Sequence, residues 1–268
     1  MRSNRSRSAR LLLSAAAIAV IAAGAAGCQT TQGADATGTV TLGANRADAD
    51  WRHEAEIYGN KYRADPSDLD AGLHYAQALR AIGQRAQATA VLEQISLQNP
   101  HNKVVLGDYG RALAESGDYE QALEVFDRAH TPDRPDWHIL SAQGAVLDQM
   151  GRHEEAQRHY LAALKIMPEE PSVLSNLGLS YALSKNLKSA ESTLRRAAAK
   201  PPVDPRVRQN LALVVGLQGR FAEAEDIARA DLPPEEAAAN VAYLRQMLAR
   251  KGDVPIANRT TRAARGSS

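Results

Sequence analysis

The stretch SGDYEQALEVF, Ser116–Phe126, combines a turn signal with the start of an amphipathic helix. Gly117 suits the left-handed backbone conformation that ends a helix, and Asp118 can accept a hydrogen bond from a free amide of the next helix. Ala122 and Phe126 lie four residues apart, so they share one face of that helix. The stretch therefore predicts a junction between two helices.

The same junction recurs along the chain with a period of 34 residues. Each turn glycine is followed five residues later by an alanine. At position 185, where a glycine is expected, the chain has Lys185 and Asn186, and asparagine tolerates the left-handed conformation. A fixed period across five turns predicts a repeat protein. The turn glycines and buried alanines are Gly83, Ala88, Gly117, Ala122, Gly151, Ala156, Ala190, Gly219 and Ala224.

A small residue precedes each turn by seven positions, on the helix that the turn ends. Two helices cross closely only where a side chain is nearly absent, so we expect this residue to face the alanine of the second helix. A large residue one turn beyond the alanine flanks the crossing. Small against small, flanked by large, predicts a helix hairpin in each repeat. The small residues are Ala76, Gly110, Gly144, Gly178 and Ala212, and the large ones are Leu92, Phe126, Tyr160 and Leu194.

This grammar resembles the tetratricopeptide repeat, a helix–turn–helix unit of 34 residues. The resemblance implies an all-α fold, a right-handed α-solenoid of about five helix hairpins with capping helices. An unrelated helical bundle would have to match the phase at five successive turns by accident. We place the solenoid at residues 50–236, with units near 69–102, 103–136, 137–170, 171–204 and 205–236.

The amino terminus has the pattern of an export signal. Four arginines precede an uncharged apolar run, and small residues lead to Cys28, the single cysteine of the chain. Residues 25–28, Ala-Ala-Gly-Cys, resemble a bacterial lipobox, which implies a signal peptide at residues 1–27 and lipidation of Cys28. Gln29 in place of aspartate implies sorting to the outer membrane, with the protein on its periplasmic face. The alternative is ordinary cleavage with an incidental cysteine.

Three segments flank the repeats. Residues 28–49 are small and polar, which predicts a flexible tether, and a capping helix is expected at 51–63. Residues 237–250 predict a second capping helix with Val241, Leu244 and Leu248 on one face, because a solenoid must cover its open ends. Residues 251–268 are nearly free of apolar side chains and predict a disordered tail.

Charge and motifs exclude several classes of function. Without the signal the chain has three more acidic than basic residues, which does not favour binding to nucleic acid through its phosphates. His153 and His159 are six residues apart and cannot share a metal as an i, i+4 pair does. The sequence has no phosphate-binding glycine loop and no Gly-x-Ser-x-Gly motif. We therefore expect no enzymatic activity, no catalytic residue, no cofactor and no metal.

A solenoid of helix hairpins presents a concave face made by the first helix of each repeat. In the fourth and fifth units the inward positions carry leucines beside amides, which predicts a groove for an amphipathic peptide helix. The alternative is that the leucines pack between repeats and the amides face water. The predicted groove residues are Asn176, Leu179, Leu183, Arg206, Gln209, Asn210, Leu213 and Leu217.

A narrower resemblance covers about residues 60–250 and includes the runs HYAQALRAIGQ, SVLSNLGLSYALSKNLKSAESTLRRAA and NVAYLRQML. These runs, the lipobox and the repeats look like the TadD-type lipoproteins of tight-adherence (Flp, type IVc) pilus machinery. The resemblance implies an accessory or pilotin-like factor in pilus biogenesis and secretion, whose partners are the secretin or other assembly components. The alternative is a lipoprotein scaffold for other cell-envelope or peptidoglycan enzymes.

Overall fold

The computed structural model describes residues 38–131 and 133–252. The predicted signal peptide, Cys28, the first part of the tether and nearly all of the predicted tail lie outside these residues. Residues from Asp48 onward form one compact unit, and the description below concerns that unit. Within the described residues the regular structure is twelve α-helices, with one isolated bridge between Thr131 and Arg134. The helices are α1 (Gly38–Ala64), α2 (Leu69–Ala81), α3 (Arg85–Gln98), α4 (Lys103–Ser116), α5 (Tyr119–Ala129), α6 (Trp137–Gln149), α7 (His153–Ile166), α8 (Pro171–Leu183), α9 (Leu187–Ala198), α10 (Pro205–Leu217), α11 (Phe221–Ala228) and α12 (Pro234–Gly252).

Ten of these helices pair into five consecutive hairpins, which confirms the predicted all-α repeat array. Each first helix packs on its own second helix, and each second helix packs on the first helix of the next repeat. The hairpins are α2 with α3, α4 with α5, α6 with α7, α8 with α9, and α10 with α11. Each repeat therefore buries its apolar face only with the help of its neighbours.

The turns within the hairpins adopt the left-handed conformation that the period requires. Gly117 has a φ of 92°, and its amide hydrogen-bonds back to the carbonyls of the helix that it ends. Asp118 begins the next helix, but its side chain makes no capping bond, so the expected bond is wrong. In the fourth repeat the left-handed residue is Lys185, with a φ of 65°, and not Asn186. Asn186 instead caps α9 by accepting a hydrogen bond from the Ser189 amide at 3.2 Å.

The close crossings of the hairpins occur at the small residues, with one correction to the sequence interpretation. The glycines lie against the large residue of the second helix, and the alanines are fully buried beside this contact. A β-carbon on Gly110 would meet Cε1 of Phe126 at 2.5 Å, and one on Gly178 would meet Cγ of Leu194 at 2.6 Å. The missing side chain thus makes room for a large neighbour and not for the alanine.

The two ends of the array are covered by α1 and α12. Helix α1 begins at Gly38, earlier than the expected capping helix, and so includes the last part of the segment assigned to the tether. Its Tyr58 ring stacks on His74 of α2 with centroids 4.6 Å apart. At the other end Leu244 of α12 lies against Gly216 of α10, where a β-carbon would come within 2.5 Å of Cδ2 of Leu244.

Candidate protein-binding groove

The first helices of the five repeats (α2, α4, α6, α8 and α10) lie side by side. Contacts join α4 to α6, α6 to α8, and α8 to α10. Polar side chains also connect first helices over a sequence distance of 35 residues: Arg80 of α2 reaches Glu115 of α4, and Asn210 of α10 reaches Ser175 of α8. These helices together form one continuous face, which we call the groove face.

The carboxyl-terminal half of the groove face contains the residues predicted from the sequence. The structure places them on α8 and α10, which contact each other. The leucines and asparagines of the set are half-buried, while Arg206 and Gln209 are exposed. Arg206 lies at the amino-terminal edge of α10, where it pairs with Asp204 at 2.9 Å. Whether these side chains bind a peptide stays a prediction.

The two asparagines already take part in bonds between repeats. The Nδ2 atom of Asn210 donates to Oγ of Ser175 at 3.2 Å, and that of Asn176 donates to Oγ of Ser141 at 3.4 Å. Each amide oxygen and a second N–H group are not used by these bonds, since a primary amide has two donors and one acceptor oxygen. The amides are therefore oriented by the array and still retain hydrogen-bonding capacity.

The amino-terminal half of the groove face is charged. Arg80 donates from Nε to Oε2 of Glu115 at 2.9 Å and from its second nitrogen to the other carboxylate oxygen. Hydrogen bonding to Glu115 raises the pKa of Arg80, and the charges of Glu115 and Asp108 raise it further. Arg111 pairs with Asp108 one turn away at 2.7 Å. This half therefore presents paired charges in place of the leucines.

The middle of the groove face carries an aromatic pair at the start of α6. The rings of Trp137 and His138 stack with centroids 3.6 Å apart. Asp136 caps α6 by accepting a hydrogen bond from the His138 amide at 2.8 Å. Burial raises the pKa of Asp136, but hydrogen bonds from His138 outweigh this effect and the net shift is downward. The groove face thus changes from charged to aromatic to leucine-rich along the array.

The sequence interpretation missed a buried carboxylate that joins the third and fourth repeats. Asp148 of α6 accepts hydrogen bonds from Oγ of Ser180 at 2.8 Å and from Oη of Tyr160 at 3.1 Å. The Nδ1 atom of His153 also lies 2.8 Å from the Asp148 carboxylate. Burial, the charge of Asp148 and this bond raise the pKa of Tyr160. No short-range spacing in the sequence signals this cluster, because its members come from three helices.

The histidines singled out in the sequence have separate surroundings. His153 contacts Asp148, whereas the Nδ1 atom of His159 is buried without a hydrogen-bond partner. Burial lowers the pKa of His159. Across residues 38–131 and 133–252, no group of three or more His, Cys, Asp or Glu side chains is arranged to hold a metal ion. None of the helices in the described part of the chain has the length and apolar character needed to cross a membrane.

The fold resembles solved repeat proteins. PilW, a widely conserved type IV pilus biogenesis factor, superposes with a TM-score of 0.65 and 17% identity, over 77% of this chain and 100% of PilW. The hetero-tetramer Cut9-Hcn1 of the APC/C superposes with a TM-score of 0.62 and 14% identity, over 77% of this chain and 41% of that one. At these identities the likeness concerns the fold alone.

Two curated relatives match part of the sequence. An uncharacterised protein, y4yS of Sinorhizobium fredii, is 34% identical over 116 residues, which are 43% of this chain and 62% of that protein. The BBSome complex member BBS4 of Bos taurus is 26% identical over 126 residues, 47% of this chain and 24% of BBS4. The chain thus spans less than two thirds of the length of either relative.

Family profiles described as tetratricopeptide repeat match residues 83–144 and 149–214, and a second profile of the same description matches 205–230. Together the matched segments cover more than half of the 268 residues and coincide with the observed hairpins. Arrays of such repeats use extended concave surfaces to bind other proteins and are typically not enzymes. The chain belongs to the tetratricopeptide repeat family.

Proposed function

We propose that this protein is a lipid-anchored adaptor of tight-adherence (Flp) pilus biogenesis, which holds a segment of another assembly protein on its groove face. The observation that carries the proposal is the leucine-rich half of that face. Leu179 and Leu183 of α8 and Leu213 and Leu217 of α10 are half-buried on adjacent helices of a tetratricopeptide array. Half-buried leucines on a surface retain apolar area that a partner can cover.

The chemistry of this half favours an amphipathic helix as the bound segment. Such a helix places apolar side chains at intervals of three and four residues, which suits two parallel rows of leucine. Asn176 and Asn210, held by their serine partners, offer hydrogen bonds to polar groups beside the apolar contacts. The exposed Gln209 adds another amide at the edge. We expect affinity to come from the leucines and orientation from the amides.

Membrane attachment and the pilus role rest on the sequence. The lipobox ending at Cys28 supports a lipid anchor, which we place on the periplasmic face of the outer membrane. The resemblance to TadD-type lipoproteins supports a role in tight-adherence pilus assembly, with the secretin as the first candidate partner. The shared fold with the pilus biogenesis factor PilW is consistent with this role. A lipoprotein scaffold for other envelope or peptidoglycan enzymes would use the same groove face with different partners.

Site-specific crosslinking in the native cells tests the proposal. A photoreactive residue at the exposed position Gln209 probes the groove face, and one at the exposed position Arg158 on α7 serves as the matched control. Mass spectrometry then identifies what each position captures. Recovery of a secretin or another pilus-assembly protein from position 209 but not from 158 supports the proposal. Recovery of only envelope or peptidoglycan enzymes from position 209 refutes the pilus role and retains the scaffold.

A further inference from the structure

A cavity of about 290 Å³ opens on the charged half of the groove face, between α2 and α4. Its deep part is apolar: Leu92 is buried, and Leu73 forms one side. The polar groups of its lining include the carboxylates of Asp70 and Asp108 and the guanidinium of Arg80. The cavity is distant in sequence from the leucine-rich half, so it forms a separate feature of the groove face.

The charges of the cavity favour a cation over an anion. Both ends of the Arg80 fork that face Glu115 are already bonded to its carboxylate, so this guanidinium has little capacity left for an anionic ligand. The Asp70 side chain is 82% exposed and close in charge to no arginine, since its contact is His74 at 3.5 Å. The raised pKa of Arg80 reflects the negative potential that Glu115 and Asp108 create at this position. An incoming carboxylate would meet that potential and be repelled.

The shape of the cavity adds a second requirement. A long side chain with an apolar stem and a charged end fits an apolar interior beneath a polar rim, because its methylene groups leave water while its charge stays at the rim. Lysine has this form, and arginine has it with a broader head. A short cation would leave Leu73 and Leu92 uncovered.

We infer that the cavity is a subsite for a cationic side chain, lysine or arginine, of the segment bound on the groove face. The stem contacts Leu73 and Leu92, and the charged end lies between Asp70 and Asp108. This inference rests on the proposed function, in which the groove face binds a protein segment. It specifies that the segment has a basic residue toward the first repeats and apolar residues toward the fourth and fifth.

The test uses side-chain analogues and does not depend on the identity of the natural partner. The full chain, purified in mild detergent with methyl-labelled leucines, is titrated with N-acetyl-lysine methylamide and observed by NMR. The matched probes are the same compound with norleucine, which removes the charge, and with glutamate, which reverses it. We expect saturable shifts of the Leu73 and Leu92 methyl signals with the lysine compound, and binding about fivefold weaker with norleucine.

Variants locate the cation. Replacing both rim carboxylates, Asp70→Asn with Asp108→Asn, is expected to weaken binding of the lysine compound about fivefold, whereas Glu124→Gln on the exposed surface of α5 leaves it unchanged. Equal or tighter binding of the glutamate compound, or no saturable shift with lysine in the unaltered chain, overturns the inference. Either result leaves the crosslinking test of the proposed function standing, and failure of that test leaves the analogue titration interpretable.

Discussion

The ring of Tyr160 occupies the space in which residue 144 would carry a side chain. A β-carbon on Gly144 would lie 2.7 Å from Cε1 and 2.8 Å from Cζ of Tyr160. Tyr160 is 1% exposed, and its hydroxyl donates to Asp148 at 3.1 Å. The ring is therefore held at both its face and its hydroxyl, and it has no open space into which it can move.

Gly144→Leu is expected to destabilise the array by more than about 2 kcal/mol, because the new side chain forces α6 and α7 apart. The control is Ala145→Leu, which adds the same side chain at the next, exposed position of α6. The measurement is the urea midpoint of each variant. A midpoint of Gly144→Leu equal to that of the control would show that the crossing is not as tight as described.

Asp148→Ala is expected to cost about 2 kcal/mol, because it leaves the hydroxyls of Tyr160 and Ser180 buried without an acceptor. Its effect should exceed that of Gln149→Ala at the next, exposed position. A double variant with Ser180→Ala tests the contact directly. If Asp148 and Ser180 interact, the loss in the double variant is smaller than the sum of the single losses.

The repeat period made most of the fold predictable, since turns and crossings occur once in every 34 residues. What the period does not encode was missed. Lys185 takes the left-handed conformation because Asn186 is the better cap, a choice between neighbours that register alone does not decide. The glycines face large rings because side-chain size along the crossing, and not proximity to the alanine, decides the contact.

The groove was predictable only in part, for a similar reason. Register placed Asn176 and Asn210 on the groove face, but it did not indicate that each is bonded to a serine of the preceding repeat. Asp148 was missed altogether, because its partners lie 5 to 32 residues away on other helices. Contacts of this kind depend on how two repeats are stacked, which a single repeat does not specify.

Acid is expected to weaken the joint between α9 and the fifth repeat through Glu191. Hydrogen bonds from Arg220, Gln218 and Arg195 outweigh burial and lower the pKa of Glu191 to about 2. An unfolded glutamate has a pKa of about 4.3. Because the folded pKa is the lower one, the stabilisation is fully present above the unfolded pKa and is lost as the pH falls through the folded value.

Glu191→Gln is therefore expected to be less stable than the unaltered chain at pH 7, with a difference that shrinks between about pH 5 and pH 2. Urea midpoints measured across this range give the comparison. Glu124→Gln, on the exposed surface of α5, controls for the removal of one negative charge. A constant difference between the Glu191 variant and the unaltered chain at every pH would contradict the assignment.

Leu213→Glu is expected to abolish capture of the partner from position 209 while leaving the fold intact, since Leu213 is half-buried on the groove face. A buried carboxylate without a partner opposes association with an apolar helix. Leu161→Glu on α7, 44% exposed in the structure, is the matched control and should retain capture. Equal crosslinking yields from the two variants would place the partner elsewhere.

Cys28→Ser is expected to release the protein from the membrane, because it removes the only cysteine that a lipid can modify. Several acyl chains, each contributing about 0.8 kcal/mol per buried methylene, hold a protein durably where a single chain does not. Thr31→Ser, three residues further along, controls for a change near the cleavage site. Fractionation after a high-salt wash and labelling with radioactive palmitate measure anchoring, and the amount of assembled secretin measures its consequence. Release with unchanged secretin assembly would keep the anchor and remove the proposed pilus role, whereas unchanged fractionation would mean that Cys28 is incidental to an ordinary cleavage site.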